Sequence, residues 1–244
     1  MDSFALDTPG KKAVLPERGA FGAGLPMRHY PLFLDLSSRE VLVAGAGSVG
    51  RRKIRTLLKV PARRITVLDP RPPSPPLPMA ANLLFLERPF APEDLEGKSL
   101  VFAATDSPKV NARIAALCAG MNIWCNRADK QEDGGFFVPA HGQCGGITVA
   151  VSTRGKSPAL AAIIRDDLEI WLKIRYGPLL PLLERLRPLL PSKAGEHAAV
   201  LRALLDSSLA ESLTLGDLDK AGNILQGHLP GLLPQKMDEL LHDL

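Results

Sequence analysis

Ten consecutive residues, Val41-Leu42-Val43-Ala44-Gly45-Ala46-Gly47-Ser48-Val49-Gly50, constrain this chain more than any others. Four apolar residues run straight into a complete G-x-G-x-x-G, and a basic, helix-compatible segment follows from Arg51 through Lys59. Arg64-Ile65-Thr66-Val67-Leu68-Asp69 then reads as a second strand closing on an acid, 19 positions past Gly50. This is the order that a dinucleotide site requires. The first glycine permits the tight turn, the second lets backbone N–H groups approach a pyrophosphate, and the third lets the helix pack closely on the strand. A glycine motif alone also serves ordinary turns that bind nothing, so the reading rests on the agreement of the flanking elements. Gly45, Gly47, Ser48, Val49 and Gly50 are the candidate phosphate-facing residues, and Asp69 the candidate acceptor for an adenosine ribose. A carboxylate there favours NAD over NADP, because it repels a 2′-phosphate. Pro70 and Arg71 follow at the same end, where Arg71 can soften that preference.

Composition narrows the class. The 244 residues suffice for one α/β domain plus something smaller, and 45% apolar content supplies a sizeable core. Aromatic residues are only 5%, which argues against a stacking platform for single-stranded nucleic acid. A net charge of +4 is a mild excess, compatible with an anionic ligand but not diagnostic of nucleic acid. Cys118, Cys125 and Cys144 form no C-x-x-C pair, and the five histidines are scattered, so no metal site is assigned. No apolar run approaches the roughly 18 residues of a membrane span, and no secretory signal opens the chain. A soluble, cytoplasmic protein is expected.

Along the chain, residues 1–26 read as a flexible leader rich in Gly, Pro and Ala. Residues 27–138 read as the nucleotide domain. Within it Tyr30 to Leu36, Leu83 to Leu86, Leu100 to Thr105 and Asn122 to Asn126 are expected strands. Asn111 to Gly120 is an expected helix, with Asp106 as an N-cap-type acid at its entry. Ala91 to Leu95 looks like a short helix start. The six prolines among the nine residues from Pro70 to Pro78 exclude helix or inner strand there. Strands alternating with helices imply a parallel sheet with right-handed crossovers, a Rossmann-like α/β fold. Two more strands are expected over Gly134 to Ala140 and Gly146 to Thr153. Ser157 and Pro158 then supply an N-cap and first turn for a helix running to about Ile174. Residues 139–174 thus form a small α+β region, and residues 175–244 a leucine-rich helical domain broken at Pro188, Pro191 and Pro230.

Taken in order, several segments resemble the precorrin-2 dehydrogenase/sirohydrochlorin ferrochelatase family of sirohaem biosynthesis. They are Tyr30-Pro31-Leu32-Phe33, Val41 to Lys53, Ala103-Ala104-Thr105-Asp106 with Asn111, and Cys125-Asn126-Arg127-Ala128-Asp129. Phe136 to Ala140 and Val149 to Pro158 complete the set. The resemblance covers about Met27 to Arg175. It implies oxidation of precorrin-2 to sirohydrochlorin with NAD as hydride acceptor, and in some members Fe2+ insertion. It also implies a homodimer built through the region after the nucleotide domain. The chain leaves no room for a methyltransferase module, so the stand-alone form is expected.

The family's catalytic acid maps onto Asp129. Read from the residues alone, Asp129 follows a strand at the carboxyl edge of a parallel sheet, where open α/β folds bind ligands. A carboxylate there can act as general base. Thr105 is a candidate cofactor contact. The implied substrate is an octacarboxylate tetrapyrrole, for which Arg127, Lys130, Arg154 and Lys156 are the candidate carboxylate partners. Glu132 and Asp133 read either as metal contacts or, preferably, as a solvated loop. A nucleotide-sensing regulatory domain shares the glycine loop and the acid but has no reason to carry the later segments. A short-chain reductase needs Tyr-x-x-x-Lys, which neither Tyr30 nor Tyr176 provides.

Overall fold

The computed structural model describes residues 29–130, 134–191 and 193–242. The expected leader over 1–26, and Glu132 and Asp133, lie outside the described residues. The chain forms two compact units, one up to Lys130 and one from Gln131 onward.

In the first unit, five short segments become parallel strands: β1 (Glu40–Ala44), β2 (Arg64–Leu68), β3 (Leu83–Leu86), β4 (Lys98–Ala103) and β5 (Trp124–Arg127). Their order in the sheet is β3-β2-β1-β4-β5. β1 pairs with β2 in the register Val43 to Val67, and with β4 in the register Val43 to Phe102. β1 is the central strand, and Val41 to Val43 are wholly buried. A strand covered on both faces requires such an unbroken apolar run. Alternate residues Leu42, Ala44, Leu68, Val101, Ala103 and Cys125 pack with Ile114 and Cys118 of α2 (Pro108–Gly120). The other face meets α1 (Ser48–Leu57), which buries Ile54 and Leu57. The sheet order reverses between β1 and β4, which opens a crevice at their carboxyl ends.

Three expectations fail here for local reasons. Tyr30 to Leu36 is not a strand. Tyr30, Leu32 and Phe33 are exposed, and Pro31 lacks an N–H. The Leu36 carbonyl is used instead to accept the N–H groups of Arg39 and Arg63. Asp106 is not the cap of α2. Ser107 is, its hydroxyl accepting from Val110 N–H, and the helix begins at Pro108 rather than Asn111. Residues 134–139 form no strand, and pairing starts only at Ala140, directly after Pro139. The short helix start expected over Ala91 to Leu95 is present as a single 3-10 turn, Pro92–Leu95. The proline-rich stretch after β2 is a loop as expected, tied to α1 by Arg51, whose guanidinium donates to the Pro75 carbonyl.

The second unit opens with the hairpin β6 (Ala140–Cys144) and β7 (Ile147–Val151), joined by Gly145 at a φ of 56° and Gly146. A two-residue hairpin turn needs this left-handed backbone, which glycine adopts without strain. α3 (Pro158–Tyr176) packs on the hairpin, and its Glu169 carboxylate accepts Gln143 N–H at 2.9 Å. Ser157 caps α3 through Leu160 N–H, as its position predicts. Beyond it lie α4 (Leu179–Leu186), α5 (Ala194–Asp206), α6 (Leu209–Thr214), α7 (Leu218–His228) and α8 (Pro234–Leu241). Their shared core includes Leu179, Leu182, Leu186, Leu204, Leu209 and Leu225. Pro191 and Pro230 fall between helices, as expected, and Pro188 lies in a 3-10 turn, Arg187–Leu189, where α4 ends. Further breaks at Ser207 and Gly216 carry no proline and are missed by that rule. Among the described residues no helix is long and apolar enough to cross a membrane.

Candidate functional site

The glycine turn divides its labour unevenly. Gly45 has a φ of 103°, and a Cβ there would stand 2.2 Å from the Ala104 carbonyl oxygen. A Cβ on Gly50 would stand 1.9 Å from the Gly45 oxygen. Both positions are packed against backbone. Gly47 is different: the nearest atom to a Cβ there is Asp106 Oδ1, at 3.9 Å. Gly47 is also the N-cap of α1, and no side chain caps the helix. Ser48 and Val49 in the first turn are exposed. An open glycine position beside an uncapped helix N-terminus fits a bound diphosphate, which takes N–H donors and the positive end of the helix dipole. The residues present therefore fit a dinucleotide.

Asp69 is buried at the end of β2. Its Oδ2 accepts Ala46 N–H at 2.8 Å, and its Oδ1 accepts Arg71 N–H at 2.9 Å. It therefore clamps the glycine turn to the β2 end, a role that sequence reading missed. Each oxygen keeps a second lone pair for a ligand hydroxyl. Arg71, just past Pro70, reaches across to Asp106 with an N–O distance of 2.5 Å. The basic run after the turn also splits. Lys53 lies over the Phe102 ring, 5.5 Å from its centroid, and burial lowers its pKa to about 8. Arg52 is exposed.

Asn111 joins the end of β4 to the end of β5. Its Oδ1 accepts both the N–H (3.0 Å) and the hydroxyl (2.7 Å) of Thr105. Its Nδ2 donates to the Thr105 carbonyl (3.1 Å) and to Asp129 Oδ1 (3.2 Å). It is 1% exposed and occupies the same buried face of α2 as Ile114 and Cys118. A polar residue at an apolar helix position was the signal that could have found it. Thr105 is therefore half-buried and held on Asn111.

Arg127 is buried, not a surface cation. Its Nη2 lies 2.6 Å from Asp129 Oδ2, and its Nε donates to Oδ1 at 3.3 Å. These charge-assisted bonds hold the Asp129 carboxyl below the usual carboxylate range, against the opposing effect of its own desolvation. Asp129 is thus an ionised, oriented carboxylate on the same sheet edge as the glycine turn, with β4 between them. Lys130 is exposed next to it. Arg154 and Lys156 stand exposed in the second unit, on the turn between β7 and α3, where Arg154 adopts a φ of 57°. A cleft of about 580 Å³ in the second unit, lined by Cys144, Glu169 and Tyr176 among others, contains none of these residues. Among the described residues, no group of three His, Cys, Asp or Glu side chains could hold a metal ion.

Comparison with known proteins agrees with this geometry. Residues 32–140 match a family described as putative NAD(P)-binding, and residues 145–169 match the sirohaem biosynthesis protein central family. The two matches together span more than half of the chain. The siroheme synthase of Ectopseudomonas mendocina is 33% identical over 218 residues, 88% of this chain and 47% of that protein. The siroheme synthase of Thioalkalivibrio sulfidiphilus is 35% identical over 207 residues, 82% of this chain and 42% of that protein. The chain thus spans about half the length of these relatives. Among solved structures, SirC, a precorrin-2 dehydrogenase, superposes with a TM-score of 0.61 at 26% identity, covering 82% of this chain and 98% of that one. The chain belongs to the sirohaem-biosynthesis family that includes the precorrin-2 dehydrogenase SirC.

Proposed function

We propose that the chain oxidises precorrin-2 to sirohydrochlorin, with NAD+ as the hydride acceptor. The observation that carries this reading is Asp129, ionised and fixed by Arg127 and Asn111 on the sheet edge that also bears the glycine turn. Bound NAD+ supplies the hydride acceptor. The protein's residues do the rest. Gly47 and the first turn of α1 receive the diphosphate, with Gly45 and Gly50 shaping that turn. Asp69, Pro70 and Arg71 meet the adenosine end, and Thr105 borders the crevice. Asp69 selects NAD+ over NADP+ by charge.

The reaction removes one hydride, taken by NAD+, and one proton, released to solvent, from the macrocycle. Departure of hydride leaves positive charge, which an adjacent fixed carboxylate stabilises. A carboxylate held this acidic is a weak proton acceptor. Electrostatic stabilisation, with hydrogen bonds accepted from pyrrole N–H groups, is therefore the larger part of what Asp129 contributes. Lys130 of the first unit is assigned to a substrate carboxylate, and so are Arg154 and Lys156 of the second, whereas Arg127 acts through Asp129. The same carboxylate, accepting hydrogen bonds from pyrrole N–H groups, orients sirohydrochlorin for Fe2+ insertion, with Fe2+ as substrate.

The test is direct. Purified protein given precorrin-2 and NAD+ gains the sirohydrochlorin absorption and forms NADH in equal amount. Binding of NAD(H) without turnover would replace this reading with that of a nucleotide sensor. Sirohydrochlorin and Fe2+ without NAD+ test the second activity separately.

The assembly we assign is a homodimer. Leu160, Ile163, Ile164, Ile170, Trp171 and Ile174 are all exposed along α3, at positions that return to one face of the helix. A stripe of that spacing suits helix pairing. Charging it with Ile163→Glu and Ile170→Glu is expected to convert a dimer into a folded monomer, measured by light scattering. A wild-type chain that is monomeric at micromolar concentration contradicts the assignment. The free thiols Cys118, Cys125 and Cys144 agree with work in a reducing cytoplasm.

A further inference from the structure

The proposed reaction gives Asp106 no task. It follows Thr105 beyond β4, and its Oδ1 is the nearest atom to the open Gly47 position, 3.9 Å from where a Cβ would stand. Its Oδ2 accepts from the Arg71 guanidinium at 2.5 Å. Arg71 Nε lies only 3.8 Å from Asp69 Oδ1, so the guanidinium is shared between the acids beyond β2 and β4. Both members of the Arg71–Asp106 pair are largely exposed, at 71% and 76%. The pair thus bridges the mouth of the crevice beside the glycine turn. An arginine near the β2 acid is the group that accommodates a 2′-phosphate in dinucleotide sites, because its N–H fork matches phosphate oxygens. A guanidinium engaged on the β4 side does not offer that fork on the β2 side.

We propose that Asp106 sets the cofactor preference by acting through Arg71. It draws the guanidinium across the crevice, and Asp69 then discriminates against a 2′-phosphate unopposed. Asp106 is a positioning residue with no part in hydride transfer. The inference rests on the dinucleotide reading of the glycine turn.

The test is fluorescence titration of the full chain with NADH and with NADPH, for wild type, Asp106→Asn, Arg71→Ala and the double variant. Asp106→Asn keeps the side-chain shape and removes the charge. It is expected to improve NADPH binding about fivefold relative to NADH at low ionic strength, the scale of an exposed ion pair. The gain fades as salt rises, disappears in the Arg71→Ala background, and is reversed by Asp106→Glu. An equal change for both dinucleotides, or a gain that survives without Arg71, overturns the proposal while leaving the site intact. A wild type that binds neither dinucleotide overturns the underlying reading, and the proposal with it.

Discussion

Asp129→Asn is expected to lower the turnover of precorrin-2 by about 10²–10⁴-fold, while NAD+ affinity stays within about twofold of wild type. Asparagine keeps an oxygen for Arg127 and Asn111 but loses the charge that the oxidised macrocycle needs. The substitution leaves the hydrophobic core untouched, so the loss is one of chemistry rather than folding. Its pH signature follows from the ion pair. Arg127 lowers the Asp129 pKa, so the ionised form persists as pH falls through the ordinary carboxylate range. Activity limited by this group is therefore lost only below that range. Arg127→Gln removes the lowering cation, raises the pKa, and moves the acid limb of the rate profile to higher pH. A pH–rate profile of kcat for the two proteins checks this; coincident acid limbs would mean that another group controls the step.

The second large effect separates the three glycines. Gly47→Val is expected to fold with a melting temperature within a few degrees of wild type, yet to bind NADH at least about 100-fold more weakly. Its φ of −66° suits any residue, a Cβ there would meet only Asp106 at van der Waals distance, and the valine methyl groups would occupy the space where diphosphate enters. Gly45→Ala and Gly50→Ala are expected to fail earlier. Their Cβ atoms would sit at 2.2 and 1.9 Å from carbonyl oxygens of neighbouring backbone. Such overlap, joined at Gly45 by a left-handed φ, costs several kcal/mol. Thermal melts and NADH titration of the three variants distinguish these outcomes. A Gly47→Val protein that binds NADH normally would place the dinucleotide elsewhere.

The motif-bearing core of the first unit was legible because its signals are local. Val41 to Val43 are apolar because β1 is covered on both faces, and the glycine spacing reports turn geometry directly. The roles of Asp69 and Arg127 were not legible in the same way. Sequence marks both as charged residues near a site, and spacing suggests ligand contacts. Their actual partners, Ala46 N–H and Asp129, are chosen by the packed sheet edge, which no local window contains. Asn111 was noticed only as a member of a pattern, since its bonds to Thr105 and Asp129 connect two strand ends. The Tyr30 to Leu36 segment failed for a related reason. Its apolar residues have strand propensity, but a strand exists only where a neighbour pairs with it. In the second unit, proline marked some helix ends well. Ser207 and Gly216 end helices without it: the Ser207 hydroxyl accepts Leu209 N–H, and Gly216 stops its helix with a φ of 71°.

The most direct test of the account is a crystal structure of the full chain with NAD+. The diphosphate is expected against the first turn of α1 beside Gly47, the adenosine ribose on Asp69, and the nicotinamide turned along the sheet edge toward Asp129. A dinucleotide bound away from the glycine turn, or seated there with its nicotinamide directed away from Asp129, would contradict it.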